Sequence, residues 1–424
     1  MRVAERVGAR THRFEAWFLS GALVSGVAYG MLPMLLPQFV AARGGNAQTV
    51  GIVMGCLMVG CLFAPAWAAI ADRFRIHRTL AVFLVGLAGI TLLWMARDAG
   101  EAGLMVGAAV IGTCCTGATV IGGLFVTDRA PRDDWPKRQG VAVMTFATGI
   151  GAGLLLAAAF SGAFVEDGLL FGSMMLLLAT GMAVVWMPWI PRRRNHLERG
   201  DTIDFEGHPV MHQAPDPDVE YREGDTRWCI AFMLFLAGIG LLTTASAMFL
   251  FQFPLMAPAA FGVNPAAAAA VFGLAALASV IWYPAVGRTA RNRDPVDLIV
   301  RATWMRAVVF GELALLSLVV DTWVTIGAAA LFFIYRNTWP SVYAGITEGS
   351  SELVPPHRRP LAMGLVSAVL ALSAISAGVA SGMLVDELGY RELAFAVFGT
   401  AIVAGFMFAI LRVWRRHLIA TNWA

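Results

Sequence analysis

Residues 228–287 read WCIAFMLFLA GIGLLTTASA MFLFQFPLMA PAAFGVNPAA AAAVFGLAAL ASVIWYPAVG, sixty positions without a single Asp, Glu, Lys or Arg. A hydrocarbon layer takes about 20 apolar residues of helix. This stretch therefore holds two crossings. Pro254, Pro258, Asn264 and Pro265 divide it, because proline lacks the backbone donor that a helix needs and clashes with the preceding turn. Working outward from it, uncharged runs recur at 16–42, 44–71, 79–96, 102–127, 139–165 and 168–191. They predict spans 1 to 6 near 14–37, 47–68, 79–96, 103–126, 139–162 and 168–190. Spans 7 and 8 lie within 228–287. Spans 9 to 12 follow near 298–320, 322–345, 360–383 and 392–412. The predicted fold is an all-α membrane protein of twelve transmembrane helices in two pseudo-symmetric six-helix halves. Its parts are residues 1–190, a cytoplasmic central loop 191–227, and residues 228–424.

Composition points the same way. Of 424 residues, 58% are hydrophobic and 14% are charged. A soluble domain carries about a quarter charged residues. An ordinary soluble enzyme and a disordered chain are excluded. Cys56, Cys61, Cys114, Cys115 and Cys229 fall inside or at the edge of apolar runs, so they suggest no disulfide framework. The basic residues 1–13 precede an apolar run too long for a signal h-region, so no cleavable signal peptide is expected.

Orientation follows from the loops, since Lys and Arg favour the cytoplasmic side. With a cytoplasmic N-terminus, twenty-six of the 31 basic residues lie in cytoplasmic segments. Only Arg43, Arg97 and Arg391 lie opposite; Arg306 and Arg336 fall within spans. One missed span would scramble this alternation. Both termini are therefore expected in the cytoplasm, with the chain in a bacterial inner membrane.

Two short segments recur. Pro65-Ala66-Trp67-Ala68-Ala69-Ile70-Ala71-Asp72-Arg73 is echoed by Pro284-Ala285-Val286-Gly287-Arg288-Thr289-Ala290-Arg291-Asn292, 219 positions on. Pro136-Lys137-Arg138-Gln139-Gly140-Val141-Ala142 is echoed by Pro356-His357-Arg358-Arg359-Pro360-Leu361-Ala362, 220 positions on. The agreement of the offsets implies two halves related by an axis along the membrane normal, with a cavity between them.

On these residues the chain resembles the major facilitator superfamily. The loop Ala68-Ala69-Ile70-Ala71-Asp72-Arg73-Phe74-Arg75-Ile76-His77-Arg78 is similar to that family's Gly-x-x-x-Asp-Arg-x-Gly-Arg-Arg. Asp72, Arg73 and the basic tail through Arg78 are kept. Ala68 and Arg75 replace the two glycines. Span 4 has no arginine, and span 5 carries Gly149, Gly151 and Gly153 without the proline of drug/proton antiporters. The resemblance implies secondary active transport of a small-molecule substrate by a monomer in the lipid bilayer. It also implies a gating set of Asp72, Arg73, Arg78 and Asp128 that latches the cytoplasmic ends together in the outward-open state. A solvated turn that only fixes topology is the alternative reading.

Arg336 lies about 15 Å deep in span 10, ten residues from its cytoplasmic end. A buried arginine faces a cavity or a partner. The resemblance places spans 1, 4, 7 and 10 around the central cavity, where Arg336 would hold an anionic group. Tyr335, Asn337 and Trp339 on the same helix, with Tyr29 and Gln252 across it, complete the candidate substrate site. The alternative for Arg336 is a pair with Glu312. Glu312 and Arg306, both on peripheral span 9, are read as structural, with Glu312 the only acid well inside any span. That scarcity speaks against a simple proton mechanism, although a coupling proton stays open through edge acids. Drug efflux, and a non-transporting assembly or sensor role on this fold, are the other functions open to the sequence.

Met54, Cys56, Met58 and Cys61 in span 2 have soft-ligand character. They read more simply as packing. Glu206, His208 and His212 have ligand-like spacing in the Pro- and acid-rich central loop. No metal, no cofactor and no nucleic-acid partner is expected, and no catalytic constellation stands out.

Overall fold

The computed structural model describes residues 15–128, 135–187, 227–291, 294–319, 322–355 and 358–422. The central loop with Glu206, His208 and His212, the N-terminal basic tail, Arg129, Arg132, Pro356 and His357 lie outside the described residues. The side chains of Asp72, Asp128, Lys137 and Arg138 also lie outside them.

The described chain is helical, without a strand. Nine of its helices are long and apolar enough to cross a membrane. They cover spans 1, 3 to 8, 11 and 12. Three further crossings, consistent with a total of twelve, are interrupted or charged. Span 2 comprises Ala47–Met58, a 3-10 turn Val59–Phe63, and Ala64–Phe74. Span 9, Pro295–Leu316, carries Arg301, Arg306 and Glu312. Span 10 is split into Thr322–Asn337 and Trp339–Glu352. It was expected to be one continuous helix. Pro340 lacks the N–H that would close on the carbonyl of Arg336, so the ladder fails there and Thr338 takes the turn.

Span 7 departs in the other direction. Pro254, Pro258, Asn264 and Pro265 were expected to divide residues 228–287 in two, and the division falls at the last two: Arg227–Phe261 runs unbroken through the first two prolines, and the next helix starts at Pro265. The break falls at Gly262, whose backbone is left-handed (φ +64°). Gly262 N–H donates to Pro258 O and Val263 N–H to Ala257 O, which closes the end. Glycine at such a closure outweighs the two prolines because it alone adopts this conformation without a steric cost.

The packing repeats between the halves. Span 1 lies on span 5 as span 7 lies on span 11, span 2 on span 4 as span 8 on span 10, and span 3 on span 6 as span 9 on span 12. Across the halves, span 2 packs on span 11 and span 5 on span 8. Glycines bring these backbones together. A Cβ at Gly149 or Gly153 would overlap the carbonyls of Ala22 and Gly26 in span 1. That contact sits beside a turn of π-helix, Gly26–Met31, in which Leu32 N–H reaches Val27 O.

The two ends of the bundle differ. At the end away from the basic loops the halves are sealed. Gly51 meets Gly378 backbone to backbone, and a Cβ on Gly382 would lie 2.6 Å from Ala47 O. The Asp386 carboxylate, from the last turn of span 11, accepts from Ala47 N–H (3.1 Å) and Gln48 N–H (3.0 Å) at the start of span 2. Those amides are unsatisfied within their own helix, and the anion also complements the helix dipole. Gln252 of span 7 donates to Ala47 O at 3.0 Å. At the basic end, Ala64–Phe74 packs mainly on span 4 of its own half, and Arg73 and Phe74 are exposed. Among the described residues no glycine contact of this kind joins the halves at the basic end.

The loop after span 2 shows why one signature position favours glycine. Arg75 is left-handed (φ +54°), and Ile76 N–H closes on Ala71 O at 3.2 Å. This is a Schellman closure with a side chain where glycine is favoured. A left-handed non-glycine residue costs about 1–2 kcal/mol. Arg75→Gly is expected to raise stability by about 1 kcal/mol, read as a higher unfolding temperature in detergent.

Candidate functional site

The arginine expected in a substrate site lies on the last turn before the split in span 10. Arg336 is half-buried. It interacts electrostatically with Tyr283 of span 8 and with Tyr335. Tyr343, 45% exposed, lies seven residues on in the second segment of span 10, within electrostatic reach of Tyr283. No carboxylate among the described residues forms an ion pair with Arg336.

The alternative pair of Arg336 with Glu312 is not formed, and neither is one between Glu312 and Arg306. Glu312 is exposed on span 9. Arg306 is 1% exposed on another side of the same helix. Six residues turn a helix by about 240°, which puts one side chain toward the bundle when the other faces out. Arg306 is held by neutral groups. Its Nε donates to Thr338 Oγ1 at 2.7 Å, in the break of span 10, and a terminal nitrogen donates to Ser246 Oγ of span 7 at 2.9 Å. Its guanidinium lies 4.9 Å from the Tyr335 ring centroid and 5.4 Å from that of Trp339. Aromatic faces stabilise such a cation, more so when it is desolvated. Thr338 in turn donates to Tyr335 O at 2.7 Å. Arg306 thus joins spans 7, 9 and 10 at the level of Arg336.

The other residues of the expected site separate. Tyr335 is buried against Phe249, Phe272 and Phe310, so it supports the site from behind. Gln252 is fully buried in the seal between the halves and offers nothing to a solute in this conformation. Asn337 turns its amide nitrogen back on Phe333 O at 2.9 Å. Trp339 is 36% exposed, beside Arg306. Tyr29, in the π turn of span 1, is 37% exposed although Cys61, Cys115, Thr116 and Thr119 surround its hydroxyl. Its accessible surface therefore lies inside the bundle, on a wall that carries no formal charge.

Among the expected gating residues, Arg78 donates to Val184 O in span 6. That bond lies within the first half and is a tie between spans 3 and 6. Arg73 is exposed, 5.9 Å from the Phe74 ring centroid. Asp386, which bonds across the halves, escaped the sequence reading. Its position at the end of span 11, opposite the start of span 2, was the available signal. Tyr283 was missed because it lies in a span not assigned to the cavity.

A groove of about 730 Å³ lies along spans 1, 5 and 6, with Val280 of span 8 at its edge. Its lining is apolar: Thr145 and Thr148 return their hydroxyls to Val141 O and Met144 O at 2.8 Å. It suits hydrocarbon and lacks an anchor for a polar solute.

The family model described as Major Facilitator Superfamily matches residues 18–351. No curated protein matches the sequence. Several solved structures share the fold. That of the nucleoside transporter NupG has a TM-score of 0.71 at 13% identity, covering 93% of this chain and 97% of its own. The POT family transporter PepTSo gives 0.69 at 12%, with 94% and 98% covered. A bacterial homologue of the human lysosomal transporter Spinster, inward-facing and occupied, gives 0.65 at 14%, with 94% and 95% covered.

Proposed function

Given that the chain belongs to the Major Facilitator Superfamily, we propose that it carries a small organic anion across a bacterial inner membrane by alternating access, as a monomer with both termini in the cytoplasm. The conformation described above is then the inward-facing one, since the charge bias puts the sealed end away from the cytoplasm. Asp72, Arg73 and Asp128 would act in the opposite state, when the cytoplasmic ends meet.

The observation that carries the anion is Arg336. It is a cation at mid-depth, half-buried, flanked by phenols, with no carboxylate paired to it among the described residues. An intramembrane charge is costly enough that it marks either a partner or a ligand. Tyr29 on the uncharged wall would meet the neutral end of the solute. Glu312 is exposed on span 9, a poor place from which to pass a coupling proton to this site.

The test is a thermal-shift series on the purified protein with anionic and cationic metabolites. Anions are expected to raise the unfolding temperature, and Arg336→Gln to abolish that rise while leaving basal stability within about 1 kcal/mol. Stabilisation by cations alone, or by anions equally well in Arg336→Gln, would end the reading.

A further inference from the structure

Arg306 is a full charge in the membrane interior that no acid among the described residues answers. Its hydrogen bonds go to two hydroxyls and its faces to two rings. Arg306 and Arg336 are close enough to act on each other electrostatically. The nearest acids on the same helices are engaged or directed elsewhere. Asp294 and Asp297, at the start of span 9, are bound by Arg415 and Arg412 at 2.6 and 2.5 Å. Glu312 is exposed on span 9. Glu348 lies twelve residues beyond Arg336, about 18 Å along the helix. The surroundings of Tyr29 in span 1 are hydroxyls and thiols without formal charge.

From this excess of charge, and resting on the anion reading above, we propose that the cargo is a small organic dianion, with both charges at the pole that faces spans 9 and 10. The physical reason lies in the closed intermediate of the transport cycle. When both ends shut, the site loses its water, and the cost of an enclosed charge rises with the square of that charge in a low-dielectric medium. Two arginines with no anion leave a charge of two, a monoanion leaves one, and a dianion leaves none. The dianion is therefore the cargo with which the carrier closes most readily. Arg336 is the contact residue in this scheme. Arg306 does not touch cargo: it is a positioning residue that supplies the second charge through the field, and it braces the break in span 10 from which Arg336 projects.

Matched probes test this on the full-length protein in detergent: succinate against its monoamide succinamate, and phenyl phosphate against its monomethyl ester. Unfolding temperature is followed as each is titrated at pH 7.5. Dianions are expected to bind at least about tenfold more tightly than their singly charged partners. The two pairs distinguish carboxylate from phosphate chemistry. Arg306→Gln is expected to erase the preference for the dianion while single-anion binding persists, and Arg306→Lys to restore it. The lysine variant keeps the charge while altering the hydroxyl contacts, so it separates charge from bracing. Equal binding of both members of each pair overturns the dianion and leaves the anion reading standing. A preference that survives unchanged in Arg306→Gln removes Arg306 from the scheme. No stabilisation by any of the four overturns both readings together.

Discussion

Valine in place of Gly378 is expected to drive the protein out of the conformation described here. A Cβ at Gly378 would overlap Gly51 O, and one at Gly51 would overlap the Gly378 carbonyl. The contact is backbone against backbone, so no side-chain rotamer relieves it. It also joins two different halves. Separating them at that end removes the clash without disturbing either bundle. Overpacking costs about 1–3 kcal/mol when the surroundings must absorb it. Here that cost falls on one conformation, so the balance between states should move by about five- to 150-fold. Spin labels at Ala42 and Leu388, both exposed at the sealed end, would report it as a longer distance. Asp386→Ala should act in the same direction and more weakly, because it removes an exposed cap and leaves the glycine contact intact. An unchanged distance in Gly378→Val would show that the seal tolerates the extra methyls and that these glycines do not control it.

A second glycine should behave differently. A Cβ at Gly112 of span 4 would overlap Leu57 O of span 2, and one at Gly60 would overlap Gly112 in return. Both spans belong to the first half, so no rigid-body movement between halves separates them. Gly112→Val is expected to destabilise the bundle by more than about 4 kcal/mol, in the range reserved for severe core defects. The readout is loss of the monodisperse peak on size exclusion. Gly122, ten residues along the same span, has nothing within 4 Å of an added Cβ. Gly122→Ala should be tolerated. The contrast between Gly112 and Gly378 separates a contact that holds a half together from one that opens and closes.

The architecture was legible because lipid imposes long, uncharged helices on any chain that crosses it. Sixty uncharged residues and a basic-residue bias of twenty-six to three left few other readings. The glycine missing from the signature loop was legible too, and the left-handed backbone at Arg75 shows why that position favours glycine. Local chemistry was less so. Pro254 and Pro258 looked like breaks and are accommodated, whereas Pro340, in a span read as continuous, coincides with a real one.

The spans are properties of one helix at a time and its solvent, so the sequence alone determined them. Which way a buried charge faces is a property of several helices at once. Arg306 and Glu312 sit on one span six residues apart, and only the packed neighbours direct the first onto Ser246 and Thr338 and leave the second outside. Gln252 and Asp386 likewise became parts of a seal only when span 2 met spans 7 and 11. Hydropathy sets depth in the membrane, and it carries no information about rotation toward a partner that is hundreds of residues away.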